Sequence, residues 1–320
     1  MVINKKIEKT AFTVESNLKP VIIHGIYYSP IVKANSKAVI QIAHGMAEHK
    51  ERYDEFATFL AENGYAVFVH DHLGHGESVD SKENLGFFGE EDGWKNLVND
   101  CYTITQYARE IFPGKPVVLF GHSMGSFVAR AYCQMYDMTL DAAIFCGTSG
   151  NNPAAGMGIK LADMIARSKG AKHRSEFINS VAFGTYNKKF KPQRTAFDWL
   201  SSDNDEVDKY VADEFCGFTF TVCGFRDLFS LLKYVSGKNW YKTVRKSLPI
   251  LMVSGDADPV GEFGKGVKQV LTDLKNTGHN VELKLYKGSR HEILNDFDRK
   301  TVMEDVLSWL DENVAEKKIS

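Results

Sequence analysis

Ser123 stands in Gly121-His122-Ser123-Met124-Gly125, between the apolar run Val117-Val118-Leu119-Phe120 and the helically spaced Phe127-Val128-Ala129-Arg130-Ala131-Tyr132. A Gly-x-Ser-x-Gly placed between a buried strand and a helix has the context of a nucleophile elbow. The turn is so tight that neighbouring side chains would collide, hence glycine at 121 and 125. The strain exposes the Ser123 hydroxyl above a sheet, and the helix starting at Met124 points its amides and dipole at developing negative charge.

A serine nucleophile needs a base and an acid to orient that base, in the order serine, acid, histidine, each on a loop at the carboxyl end of a strand. After Ser123 the chain holds only His173, His279 and His291. His173 lies between Lys172 and Arg174, and His279 sits in a turn leading into a strand, at the wrong end of a sheet. His291 follows the last strand through Lys287-Gly288-Ser289-Arg290 and is the expected base. For the acid, Gly255-Asp256-Ala257-Asp258-Pro259 offers two carboxylates. Asp258, deeper in the loop and stiffened by Pro259, is favoured, with Asp256 left open. The oxyanion needs two backbone donors, expected from Met124, next to the nucleophile, and Met46, in the loop His44-Gly45-Met46 after the third strand. Three histidines in His70-Asp71-His72-Leu73-Gly74-His75 invite a metal reading. A di-zinc pattern would need aspartate where Gly74 stands, so the stretch is read as a turn bracing the oxyanion loop, with no metal and no organic cofactor expected.

The elements that must position these residues follow from periodicity. Residues 11–16 and 21–28 read as an opening hairpin, and 38–43, 65–69, 117–120, 142–146, 248–254 and 281–286 as further strands. Helical spacing covers about 52–63, 94–111, 124–132, 263–277 and 301–314. Alternation of buried strands with helices predicts an α/β fold, a mostly parallel sheet covered on both faces. The rhythm breaks at Gly150-Asn151-Asn152-Pro153 and resumes near residue 238. The expected organisation is therefore a core of residues 1–150 and 238–320 with an inserted, mainly helical cap at 151–237.

The quoted stretches His44-Gly45-Met46-Ala47-Glu48-His49, Asp71-His72-Leu73-Gly74-His75-Gly76-Glu77-Ser78, Gly121 to Ser126 and Gly255 to Asp258 together resemble the α/β-hydrolase branch of monoacylglycerol lipases and bacterial lysophospholipases, also described as serine aminopeptidase-like. The resemblance covers nearly the whole chain, with the cap its weakest part. It implies Ser123 as nucleophile, Asp258 as acid, His291 as base and Met46 and Met124 as oxyanion donors. It implies a carboxylic ester hydrolase acting on a small lipid or ester substrate, with single-acyl-chain lipids favoured. One departure is Arg290, a cation beside the base, which either favours an anionic leaving group or faces solvent. In the cap, Phe215, Phe218 and Phe220 are the candidate lining of an acyl channel, and a small cap core is the competing account.

Composition narrows the rivals. The 320 residues carry 43% hydrophobic and 25% charged residues and a formal net charge of −2, which gives no case for nucleic acid. Five scattered cysteines and no apolar run at the start predict reduced thiols, no leader and a cytoplasmic protein. The apolar 156–171 patch, ringed by Lys160, Arg167 and Lys169, predicts weak peripheral membrane contact through the cap. The alternatives are a small-ester carboxylesterase, an iminopeptidase-type peptidase using Asp203-Asn204-Asp205-Glu206 to hold an amine, and a non-catalytic ligand-binding protein on a hydrolase scaffold. Dehalogenase and epoxide hydrolase chemistry would want aspartate at position 123.

Overall fold

The computed structural model describes residues 6–237 and 239–315. Residues 1–5, 238 and 316–320 lie outside the described residues; they include the first half of the start read for a leader and the outer ends of the expected core. In chain order the elements are β1 (Ile7–Glu15), β2 (Ile22–Pro30), β3 (Val39–Ala43), α1 (Asp54–Glu62), β4 (Ala66–His70), α2 (Gly93–Ile111), β5 (Val117–His122), α3 (Met124–Tyr136) and β6 (Ala142–Cys146). Four helices follow: α4 (Ala155–Lys169), α5 (Glu176–Phe183), α6 (Asn204–Ala212) and α7 (Val222–Tyr234). Then come β7 (Ile250–Gly255), α8 (Lys265–Asn276), β8 (Val281–Tyr286) and α9 (Arg299–Leu310).

The eight strands form one sheet in the order β1-β2-β4-β3-β5-β6-β7-β8. Strand β2 runs antiparallel to β1 and β4, and every pairing from β4 to β8 is parallel. Central strands are apolar at nearly every position because both faces are covered. In β5, Val117 and Leu119 enter one core with α2 and α3, whereas Val118 and Phe120 enter the other with α1 and α9. Gln41, fully buried on β3, is tolerated because it donates to the Cys101 carbonyl at 2.9 Å and accepts from the Thr105 hydroxyl at 2.7 Å.

The order of strands reverses between β3 and β5, so the loops after them part and leave a crevice at their carboxyl ends. Over that crevice sit the four helices inserted between β6 and β7, where the break in periodicity placed a cap. Between β6 and β7 the described residues hold only an isolated bridge, Arg174 to Thr221, and no strand. This is the α/β-hydrolase architecture with an inserted helical cap. Helices α4 and α7 pack closely; a Cβ on Gly158 would lie 2.7 Å from the Phe229 ring. Thr221 caps α7 by accepting the Gly224 amide at 3.0 Å and donates to the Gly86 carbonyl at 2.9 Å, tying the helix to the core.

Candidate active site

Strand β5 ends at His122 and α3 begins at Met124, leaving Ser123 as the single turning residue with φ 52° and ψ −119°. A positive φ in a serine costs on the order of 1–3 kcal/mol and persists because the surroundings impose it. The elbow is close-packed: a Cβ on Gly125 would lie 2.0 Å from the Ala43 carbonyl oxygen, and one on Gly121 would lie 2.2 Å from that of Gly125. Both glycines are therefore required by close approach of the backbone.

The loops after β7 and β8 bring Asp258 and His291 together. His291 Nδ1 lies 2.9 Å from Asp258 Oδ2, and both residues are buried. Asp258 Oδ1 accepts the Val260 amide at 2.8 Å, one residue beyond Pro259, which fixes the carboxylate plane. Asp256 is exposed and accepts the Gly288 amide at 2.7 Å, so it holds a turn and does not reach His291. His279 is tied to Thr277 and the Val244 carbonyl, away from the site. With Nδ1–H donating to Asp258, His291 Nε2 is the acceptor nitrogen; it is buried and has no hydrogen-bond partner among the described residues. Ser123 and His291 line one cavity without a hydrogen bond between them. The indole of Trp199, from between α5 and α6, lies 5.1 Å from the His291 ring, and His122 lies 4.8 Å from it on another approach.

The loop after β3 is held from two sides. The Gly45 amide donates to Glu48 Oε1 at 2.5 Å and the Ala47 amide to His75 Nε2 at 3.2 Å. Between them the Met46 amide has no acceptor among the described residues, and neither does the Met124 amide at the start of α3. Both residues line the cavity beside Ser123. His72 donates its amide to His44 Nε2 at 2.9 Å, so the histidine cluster braces this loop. Burial holds His72 down to about 4 and His75 to about 3, leaving both rings neutral near pH 7 and able to accept an N–H.

Glu48 is a residue that motif reasoning missed as a functional group. Its Oε1 takes Gly45 N–H, the Tyr53 hydroxyl at 2.9 Å and His122 Nδ1 at 3.1 Å, and its Oε2 pairs with Arg52 at 3.2 Å. Burial opposes its charge, but His122, Arg52 and the Gly45 amide hold the carboxyl down to about 2. The same interaction raises His122, against its own burial. Arg52 also pairs with Glu292, next to the base. One ionic network thus joins the loop that carries Met46, His122 beside Ser123 and the loop that carries His291. Its only sequence trace is Glu48 itself, three residues after Gly45.

The cavity measures about 580 Å³. Its apolar lining comes mostly from the cap, including Leu161, Phe183, Leu228, Phe229 and Leu232, and its polar lining includes Glu48, Tyr210, Glu292 and, from the cap, Asn152, Asn179 and Ser180. Of the three cap phenylalanines expected to line an acyl channel, only Phe218 does so. Phe220 is fully buried, packed edge-on to Phe88 at 5.2 Å, because its helix-capping neighbour Thr221 turns it into the seam with the core. Phe215 packs on His49 at 6.0 Å with the Lys82 ammonium above it, outside the cavity. Arg290 neither enters the cavity nor faces open solvent. It donates to the carbonyls of Ser201, at 2.8 Å, and Asp198, and stacks 4.3 Å from Phe190, clasping the cap. Asp203 caps α6 through the Asp205 amide at 3.1 Å and Glu206 pairs with Lys209, so this acidic run does not face the cavity.

Known proteins carry the same organisation. The "Serine aminopeptidase, S33" family pattern matches residues 34–298. A monoglyceride lipase homolog of Monkeypox virus is 28% identical over 92% of this chain and 96% of its own. A monoacylglycerol lipase of Mycolicibacterium smegmatis is 28% identical over 86% of this chain and 88% of its own. The crystal structure of a thermostable carboxyl esterase from Bacillus coagulans, in complex with glycerol, superposes with a TM-score of 0.90 at 30% identity, covering 96% of this chain and 99% of that one. The chain therefore belongs to the serine aminopeptidase S33 family, in the branch of α/β-hydrolases that contains lipases and esterases.

Proposed function

We propose that the protein hydrolyses carboxylic esters carrying a single acyl chain, monoacylglycerol or lysophospholipid, through an acyl-enzyme on Ser123. The observation that carries this reading is the buried Asp258–His291 pair, whose unpartnered Nε2 opens on the cavity that Ser123 also lines. In the first half-reaction Nε2 takes the serine proton as Oγ attacks the ester carbonyl. Asp258 holds the tautomer and stabilises the imidazolium, and the Met46 and Met124 amides receive the oxyanion. His291 then returns the proton to the leaving alcohol. Water, deprotonated by the same nitrogen, cleaves the acyl-enzyme and regenerates Ser123.

The substrate class is supported by a cavity whose cap lining is largely apolar, which suits an acyl chain, with polar groups among its lining that suit a hydroxylated alcohol. Peptidase chemistry on a free amine is disfavoured: the carboxylates in the cavity lining, Glu48 and Glu292, are both already paired with Arg52, and Glu48 with His122 as well. We assign the core to residues 1–150 and 238–320 and the cap to 151–237. Met157 and Val181, exposed at 70% and 59%, belong both to the cavity lining and to the outer cap surface, which supports weak contact between the cap and a lipid surface. Five unpaired cysteines support a cytoplasmic setting; no described helix is long and apolar enough to cross a membrane.

A series of p-nitrophenyl esters, followed by monoacylglycerol, lysophospholipid and triacylglycerol under matched detergent, tests the proposal. Each buried methylene adds about 0.8 kcal/mol, so kcat/KM should climb with chain length until the apolar lining is covered. Triacylglycerol should be cleaved poorly. Rates flat from acetate to laurate would replace this reading with a small-ester carboxylesterase, and no turnover of any ester would leave a ligand-binding protein.

A further inference from the structure

Outside the cavity, the seam between cap and core gathers three different metal-ligating side chains. His49 closes the loop that carries Met46, and Asp213 and Cys216 lie just beyond α6 in the cap. The ligand atoms His49 Nε2, an Asp213 carboxylate oxygen and Cys216 Sγ all lie within 4.8 Å of one another. None of the three residues lines the cavity of Ser123.

The second observation is how the imidazole is held. His49 Nδ1 is bonded to Glu51 Oε2 at 2.5 Å, which turns Nε2 towards Asp213 Oδ2 at 2.8 Å. Carboxylates thus sit on both ring nitrogens, and against burial the contacts with Cys216, Glu51 and Asp213 hold the imidazole protonated. A bound cation would take the place of the Nε2 proton, while Glu51 keeps orienting the ring from Nδ1. Phe215 covers the ring on one side at 6.0 Å, while the Asp213 side chain, 30% exposed, leaves an entry from solvent. The other histidine groupings lack one of these features. His70, His72 and Cys101 are sealed in the core, and Lys50 already occupies the centre of His49, Glu51 and Asp71, 2.8 Å from Asp71.

We propose that His49, Asp213 and Cys216 form a binding site for a divalent transition cation of the zinc class, with water completing the coordination. One nitrogen, one oxygen and one sulfur donor suit such an ion better than calcium or magnesium, which take oxygen ligands. Tetrahedral coordination needs the nitrogen and oxygen about 3.3 Å apart, a small widening of the present hydrogen bond. Binding releases to solvent the proton shared by His49 and Asp213 and the thiol proton of Cys216; no oxidation occurs. The ion would clamp the cap segment to the oxyanion loop from outside, reinforcing the Gly217 amide bond to the Ala47 carbonyl at 2.9 Å.

The test uses the full chain, treated with chelator, desalted and titrated with cobalt(II). A near-ultraviolet thiolate-to-cobalt absorption saturating at one equivalent and displaced by zinc is expected. The other four cysteines are buried, so the band reports Cys216. Cys216→Ser should abolish it. Glu51→Gln, which removes the charge behind the imidazole and leaves Lys50 paired with Asp71 and Glu77, should weaken cobalt binding by about 10- to 100-fold while circular dichroism stays native. Zinc should raise the thermal midpoint of the native chain and leave that of Cys216→Ser unmoved. Absence of the band at excess cobalt, its survival in Cys216→Ser, or equal zinc stabilisation of both proteins would overturn the site.

Discussion

Asp258 and Asp256 stand two residues apart, yet one is buried against His291 and the other holds an exposed turn. Asp258→Asn should lower kcat by about 10⁴, the scale seen when a triad acid becomes an amide and the histidine tautomer is lost. Asp256→Asn should leave kcat near native; equal losses in steady-state kinetics would contradict the assignment. The cap phenylalanines separate in the same way. Phe218→Ala removes part of the cavity wall and should depress kcat/KM most for the longest acyl chains. Phe220→Ala should instead cost about 3–5 kcal/mol of stability, the range for emptying a packed aromatic site, and leave chain-length preference unchanged. Denaturant melts beside a chain-length series distinguish the two. The sequence pointed to Ser123 and the pair of aspartates through short contiguous motifs, and to His291 by its place after the last strand. It could not sort the phenylalanines, since spacing says which residues are apolar and not which side of a cap they face. Glu48 escaped for a related reason: Gly45, Arg52 and Tyr53 are its neighbours in sequence, but His122, the partner that ties it to the elbow, comes from a distant stretch of chain.

Strands and helices are the next scale. Strand β6, a buried apolar run, and the edge strand β8, which alternates apolar with polar residues, begin and end where the sequence placed them, whereas α1 starts at Asp54, after a 3₁₀ turn over Lys50–Tyr53 that apolar spacing does not reveal. The approach of α3 to β3 gives one prediction. A methyl at position 125 would meet the carbonyls of Ala43 at 2.0 Å and His44 at 2.5 Å, backbone that cannot step aside alone. Gly125→Ala should cost about 1–3 kcal/mol or more and, by moving the loop that carries Met46, lower kcat by about 10². A native melt with native turnover would contradict the packing argument. The contact between α7 and α2 gives another. Asp227, 1% exposed, faces the first turn of α2, and burial pushes its carboxyl up to about 7, with Arg226 pulling the other way. The folded protein therefore holds a proton that the unfolded chain releases near pH 4. This contribution is greatest below pH 4 and is lost as pH rises through about 7. Asp227→Asn should melt higher than the native chain at pH 8, with the gap closing towards pH 4. A gap that does not change with pH would remove Asp227 from the account.

At the scale of the molecule, the sheet does little chemistry and much placement. Loops after β3, β5, β7 and β8 converge at one edge, and the insertion after β6 roofs them. That convergence was expected from motifs that each follow the carboxyl end of a strand. The paths of the four cap helices were not, because they are held by long-range ties such as Tyr210 to the Ala47 carbonyl at 2.9 Å and Arg290 to the Ser201 carbonyl. The whole arrangement has meaning only if Ser123 becomes acylated, and that is open to direct measurement. The native chain and Ser123→Ala should be incubated with a fluorophosphonate, weighed intact by mass spectrometry and assayed on a p-nitrophenyl ester. We expect one adduct, mapped to Ser123, complete loss of turnover on labelling, and no adduct in Ser123→Ala. That variant should fold normally and turn over about 10⁶ more slowly. A Ser123→Ala protein that kept roughly a tenth of native turnover, against the near-total loss expected of a missing nucleophile, or labelling elsewhere with turnover intact, would contradict the mechanism.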